Sequence, residues 1–244
     1  MGVFKYYCFL FTCAIFRVDS RDLPPFLKAC SISDPKLNVC ALKNANEALP
    51  SLFKANKKLG IPAFDPYLLP LLEIQTSNFL IKLDNVKFYG LNDARVKAIN
   101  VNLKDSIWSA DVEMDRVNLV GHYIASGNIA SFPIRGDGIS NTTFVGGLYK
   151  YTVHMPKRMK DGVEYFSINS TSLTFKLKRA HFYHGNLFNG NQQLGDALNN
   201  FFNENWELIL EEMGDAIKKT IQAIGTSVVS KIVDNVPANK IFLP

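Results

Sequence analysis

The chain has 244 residues, with 27 Lys and Arg against 22 Asp and Glu, and 47% of it is hydrophobic. That length supports a sizeable core, and a formal charge of +5 is too slight for the basic stripe of a nucleic-acid binder. The clusters Lys157-Arg158-x-Lys160 and Lys176-x-Lys178-Arg179 read as a loop and the solvated outer face of a strand.

The chain opens with a basic start at Lys5, an apolar run from Tyr6 to Phe16, and the small residue Ser20 shortly beyond. This pattern predicts a secretory signal peptide over residues 1–20, because a membrane anchor needs about 20 apolar residues in a row. Residues 21–244 are then one exported, extracellular domain, since no linker or composition shift divides them. Cys8 and Cys13 leave with the leader, and Cys30 and Cys40 remain. In an oxidising compartment a lone pair permits one bridge, closing a short loop near the new N-terminus. Asn141-Thr142-Thr143 and Asn169-Ser170-Thr171 fit the glycosylation acceptor pattern, which puts Asn141 and Asn169 at the surface.

Asp34-Pro35 marks a helix start, with a capping carboxylate followed by proline. Leu37, Ala41, Leu42, Ala45, Leu49, Leu52 and Phe53 continue at helical spacing, Pro50 is expected to kink the helix, and Gly60 to cap it. Ile61 to Pro70 is stiff and extended by its proline content. From about Glu73 to Tyr183 the period switches to two. Phe79, Ile81 and Leu83 alternate with polar neighbours or outward positions, as do Val112 and Met114, then Tyr149, Tyr151 and Val153, then Leu173, Phe175 and Leu177. One apolar and one wet face is the mark of antiparallel strands. Turns are expected at Leu91-Asn-Asp93, Arg135-Gly-Asp-Gly138 and Lys160-Asp-Gly162.

The last fifth carries an apolar stripe: Leu194, Leu198, Phe202, Trp206, Leu210, Met213, Ile217, Ile221, Ile224, Val228, Ile232 and Val236. At ~1.5 Å per residue this is a helix roughly 60 Å long. Most steps are four, so the stripe winds around the axis, and only something curled around the helix can cover it. The expected fold is therefore α+β: a long C-terminal α-helix wrapped by a strongly curved antiparallel β-sheet, elongated and tubular, with a short N-terminal helix.

Signatures of catalysis are missing from the sequence. There is no Gly-x-Ser-x-Gly elbow and no phosphate-binding loop, and Gly136-x-Gly138 lacks a third glycine and reads as a turn. His181 and His184 have no acidic or thiol companions for a metal, and Glu207, Glu211 and Asp215 form a wet helix face. The expectation is no enzyme, no cofactor and no metal site. Eighteen Phe and nine Tyr instead supply abundant apolar surface. A shell around one helix must be filled by such side chains or left hollow for a lipid or hormone, and periodicity leaves both open. The large residues expected to face inward, and hence candidate ligand contacts, are Phe79, Trp108, Phe132, Tyr149, Tyr151, Phe202, Trp206 and Met213.

His184-Gly-Asn-Leu-Phe-Asn-Gly-Asn-Gln-Gln-Leu194, running into Asn199-Asn-Phe-Phe-Asn-Glu-Asn-Trp206, resembles the most recognisable motif of the insect takeout and juvenile-hormone-binding family. Cys30 with Cys40, Gly60-Ile-Pro-x-Phe-Asp-Pro66, Gly121-x-Tyr123-x-x-x-Gly127, Pro133-Ile-x-Gly136-x-Gly138 and the final Ile241-Phe-Leu-Pro244 are similar in the same order. The resemblance implies a helix wrapped by a curved sheet, akin to tubular lipid-binding folds. It also implies non-enzymatic carriage of a hydrophobic small molecule in haemolymph or sensory fluid. The hormone carriers proper usually have a second cysteine pair, and its absence from residues 21–244 points to the takeout-like branch, associated with circadian output, feeding and chemosensory tissues.

The functional expectation is a secreted carrier for a juvenile-hormone-like terpenoid, isoprenoid or fatty molecule, held between helix and sheet. Its partners would be that ligand and a transient membrane or receptor contact, with the chain itself a monomer. The alternative is a solid-cored secreted signalling or interaction protein acting through a receptor or membrane surface.

Overall fold

The structure is a computed structural model and describes residues 22–57, 59–129 and 132–244, without the side chains of Ile129 and Phe132. The expected signal peptide lies outside the described residues. In chain order the elements begin with β1 (Cys30–Ser31), α1 (Leu37–Leu52), β2 (Tyr67–Gln75) and β3 (Phe79–Tyr89). They continue with β4 (Arg95–Asn102), β5 (Ile107–Ile129), β6 (Phe132–His154), β7 (Lys157–Lys160), β8 (Val163–Phe166), β9 (Ser170–Lys176) and β10 (Arg179–His184). The chain finishes with α2 (Gln192–Glu204), α3 (Trp206–Val233), α4 (Ala238–Ile241) and β11 (Phe242–Leu243).

The spine is the β5–β6 hairpin, two strands of 23 residues paired from Ile107↔His154 to Ile129↔Phe132. Its partners change midway. On one half β5 pairs β3 and β6 pairs β10, and on the other β5 pairs β4 and β6 pairs β9. The changeover falls between Met114↔Gly147 and Arg116↔Val145, where the register is kept but one pair is missing from the ladder, at Gly146 with φ 61°. Only glycine takes that backbone cheaply, and it lets the strand bend.

The seven-stranded sheet runs β10-β6-β5-β3-β2 on its longest path and is open, yet α3 packs against β2 and also against β9 and β10. Strands sit ~4.8 Å apart, so five flat ones would span about 19 Å, wider than the ~10 Å of a helix. One helix touching both edges means that the sheet curls around it.

The edges of β10 and β4 are sealed by asparagines. On α2, Asn203 accepts from Phe182 N–H at 2.9 Å and donates to Phe182 C=O at 2.8 Å, while Asn199 treats His184 the same way at 2.8 and 3.0 Å. Two asparagines one helical turn apart thus complete the hydrogen bonding of β10 as a neighbouring strand would. Asn46 of α1 does this for Val96 of β4, at 3.0 and 2.9 Å.

Four sequence expectations are corrected. The rod from Leu194 to Val236 is divided at Asn205, whose side-chain amide donates to Phe201 C=O at 2.9 Å and whose backbone leaves the helical region at φ −111°, ψ 33°. Asparagine competes for helix carbonyls in this way, and α3 is left at 28 residues, about 42 Å. Gly60 does not cap α1, which ends at Leu52; it turns the chain between the bridged residues Asn56 and Ile61. Lys157–Lys160 is not a loop but a strand paired with β8. Gly136-x-Gly138 is not a turn either: it lies inside β6, and a Cβ on Gly136 would stand 2.1 Å from the Tyr123 hydroxyl. The glycine is there because an aromatic ring lies across it.

The first strand meets the C-terminal segment. β1 pairs in parallel with β11, Ser31 Oγ donates to Pro244 C=O at 2.6 Å, and the Cys30–Cys40 bridge ties this corner to α1.

Candidate functional site

Between α3 and the concave face of the sheet lies a cavity of about 380 Å³. Its floor is one side of α3, where Ile209, Met213, Ile217, Ile221, Ile224 and Val228 recur at helical spacing. The roof is made of inward residues of the strands, from Phe79 and Ile134 at one end to Ala110, Tyr151 and Leu173 at the other. The stripe that the sequence shows is therefore apolar without being solidly packed: Met213, Ile217, Ile221, Ile224 and Val228 are all only half-buried. They face open space.

The cavity is long and narrow. From Ile209 to Val229 the wall follows α3 for about 30 Å, so 380 Å³ admits a single chain abreast. Beyond the far end the interior is filled. Trp108 packs edge-on against Phe166 at 4.8 Å and Phe242 at 5.1 Å, and the buried Met155 and Val233 complete that plug. Tyr151 OH bonds Thr226 Oγ1 at 2.8 Å and Gln222 Nε2 donates to Thr171 C=O at 2.9 Å, pinning α3 to the sheet there.

Among the described residues, none that lines the cavity is Asp, Glu, Lys or Arg. Among the polar ones, Thr220 spends its hydroxyl on Ala216 C=O of its own helix, and Tyr123 OH donates to Gly185 C=O at 2.9 Å. Burial pushes the Tyr149 phenol up to about 12, and the Tyr123 phenol also to about 12 with help from the Asp137 charge. Burial pushes the His184 imidazole down to about 4, so that ring is neutral at physiological pH. His184 stands against Tyr123 at 4.9 Å and Phe202 at 5.8 Å between ring centroids, with its backbone held by Asn199.

Of the residues singled out in the sequence, Phe79, Tyr149, Tyr151, Phe202 and Met213 line the cavity. Trp108 belongs to the plug, and Trp206 lies outside the lining, with the Arg179 guanidinium 5.8 Å from its ring. The side chain of Phe132 lies outside the described residues. Asn141 and Asn169 are both exposed. Sequence reasoning passed over Ser140 and His184 as lining residues. The signal was the parity of β10, where Ala180 and Phe182 are buried and His184 shares their side, whereas His181 is exposed on the other. The two histidines face opposite ways, and among the described residues no cluster of His, Cys, Asp or Glu could hold a metal ion.

Comparison with known proteins decides the family. The family model described as "Haemolymph juvenile hormone binding protein (JHBP)" matches residues 7–243. The chain belongs to this takeout and juvenile-hormone-binding family. It is 26% identical to the "Circadian clock-controlled protein daywake" of Drosophila melanogaster over 93% of this chain and 91% of that protein. The same protein of Drosophila yakuba is 22% identical, with the same coverage. The crystal structure of Epiphyas postvittana Takeout 1 superposes with a TM-score of 0.79 at 26% identity, covering 89% of this chain and all of that one. Membership of this family fits a binding protein for hydrophobic small molecules, and the walls of the cavity fit that role. Among the described residues no helix is long and apolar enough to cross a membrane.

Proposed function

We propose that the protein is a secreted, non-enzymatic carrier of an elongated, electrically neutral hydrophobic molecule such as a terpenoid, isoprenoid or neutral fatty compound. Residues 1–20 serve as the export signal, and Phe79, Tyr149, Tyr151, Phe202 and Met213 contact the guest. The observation that carries this reading is the 380 Å³ space with an almost wholly apolar wall. An apolar cavity of ~150 Å³ holds benzene, so by proportion this one holds about fifteen carbon atoms. At ~0.8 kcal/mol per buried methylene the gross gain is about 12 kcal/mol, and several kcal/mol of lost freedom leave a micromolar or tighter complex.

Charge selects among guests. A carboxylate or phosphate drawn inside would meet no Lys or Arg among the described residues of the wall, and a neutral imidazole gives it no counter-charge. The solid-cored alternative is disfavoured by the same open space.

The test is native mass spectrometry and solvent extraction of the purified protein, followed by displacement of the fluorescent probe N-phenyl-1-naphthylamine. Retained or exchanged apolar compounds with neutral ones preferred are the expected result. A protein that neither retains nor exchanges any apolar compound is no carrier.

A further inference from the structure

The wall of the cavity contains two polar atoms that no protein group satisfies. His184 Nδ1 and Ser140 Oγ are both shut off from solvent and both lack a hydrogen-bond partner. Ser140 is 1% exposed. They are not scattered. His184 of β10 and Ser140 of β6 are direct cross-strand partners, so their side chains stand together on the inner face, and both line the cavity.

Three other lining hydroxyls are absorbed locally, Tyr123 by Gly185 C=O, Tyr151 by Thr226 and Thr220 by Ala216 C=O. The pair at His184 and Ser140 is left without a partner, although alanine and phenylalanine would fill the same places without stranding a polar atom. The surroundings hold it rigidly. Asn199 clamps both backbone groups of His184, and Tyr123 and Phe202 flank its ring. Apolar wall continues on either side, toward Phe79 and Ile134 in one direction and toward Leu173 in the other.

We infer that His184 and Ser140 form a polar anchor within the cavity, which hydrogen-bonds a neutral hydroxyl or carbonyl oxygen carried on an otherwise apolar chain. A neutral imidazole offers one donor and one acceptor and a serine hydroxyl offers both, so the pair receives a carbonyl with two donors or a hydroxyl with one of each. The anchor rests on the carrier reading and deepens it: the long wall supplies affinity, and this pair sets where the oxygen lies.

The experiment measures displacement of N-phenyl-1-naphthylamine by three chains of equal length: pentadecane, 8-pentadecanone and 8-pentadecanol. Wild-type protein should bind the ketone and the alcohol about tenfold more tightly than the hydrocarbon, the worth of one or two buried hydrogen bonds. In His184→Phe, which keeps an aromatic ring against Tyr123 and Phe202, and in Ser140→Ala, the preference should shrink several-fold. Pentadecane affinity should stay within about twofold. A stronger response of the ketone than the alcohol to Ser140→Ala assigns two donors to the natural oxygen, and the reverse assigns a hydroxyl. Equal binding of all three chains by wild type, or a preference that survives both substitutions, overturns the anchor and leaves the carrier standing. Failure of every chain to displace the probe overturns both. Should His184→Phe fold poorly, Ser140→Ala still decides: removing a stranded hydroxyl leaves the melting temperature of the ligand-free protein unchanged or higher, so a lost preference there cannot be ascribed to misfolding.

Discussion

Acidification is expected to loosen this protein through His184. The ring is pushed down to about 4 by burial, and no charged neighbour contributes to that shift; the titratable group packed on it is Tyr123. An imidazole in the unfolded chain titrates near 6.5. The unfolded state therefore takes up a proton first as pH falls. The stabilisation from keeping the ring neutral is intact above pH 6.5 and is lost progressively down to pH 4. A separation of about 2.5 units at 1.36 kcal/mol each amounts to about 3 kcal/mol, near 6–12 °C in melting temperature for a domain of this size. Carboxylates titrate in the same range, so the informative quantity is a difference. Wild type and His184→Phe would be unfolded by urea at half-unit steps from pH 7.5 to pH 4. The wild-type curve should fall about 3 kcal/mol further than the curve of the variant. Parallel curves would mean a solvated ring, and the argument for a dry cavity wall at β10 would fail with it.

Asn203→Ala strands the N–H and C=O of Phe182 at the edge of β10. We expect a loss of about 2–4 kcal/mol and faster hydrogen exchange at the Phe182 amide; unchanged protection there would show that α2 does not seal the sheet. Gly136→Ala drives a methyl group into Tyr123, whose hydroxyl is tied to Gly185, and should cost about 1–3 kcal/mol by chemical denaturation, with Tyr123→Phe recovering only part because it removes the hydroxyl at 2.1 Å and leaves ring carbons at 2.8 and 2.9 Å. Cys30→Ser opens a loop of ten residues and should lower stability by roughly 2–3 kcal/mol, while leaving probe binding intact because the bridge lies outside the cavity wall.

Much of the architecture is legible in local patterns. Period two between Glu73 and Tyr183, spacing of three and four after Leu194, and the pairing of Cys30 with Cys40 each follow from interactions within a few residues or from short spacing. The errors share a cause. Gly136-x-Gly138 looks like a turn because glycine is usually a turn former, yet its role comes from the Tyr123 ring on the neighbouring strand. Trp108 is an expected ligand contact that packs instead against Phe166 and Phe242, the latter 134 positions away in the chain, and stands outside the cavity lining. Asn205 carries a helix-breaking preference too weak to outweigh an unbroken apolar stripe on paper, and it prevails where its amide reaches Phe201 C=O.

The sequence by itself determined the classes of element, the apolar stripe and the disulfide partners, because each depends on residue type and short-range spacing. Tertiary structure alone decided that the interior is hollow and not filled. A void is the difference between the volume that a curved sheet encloses and the volume its side chains occupy, and that curvature is set by pairing between strands far apart in the chain, with register shifts at Asp84/Lys87 and Val96/Ala98. The meeting of Ser140 with His184 was likewise a matter of register: a shift of one residue between β6 and β10 would have turned one of the two outward.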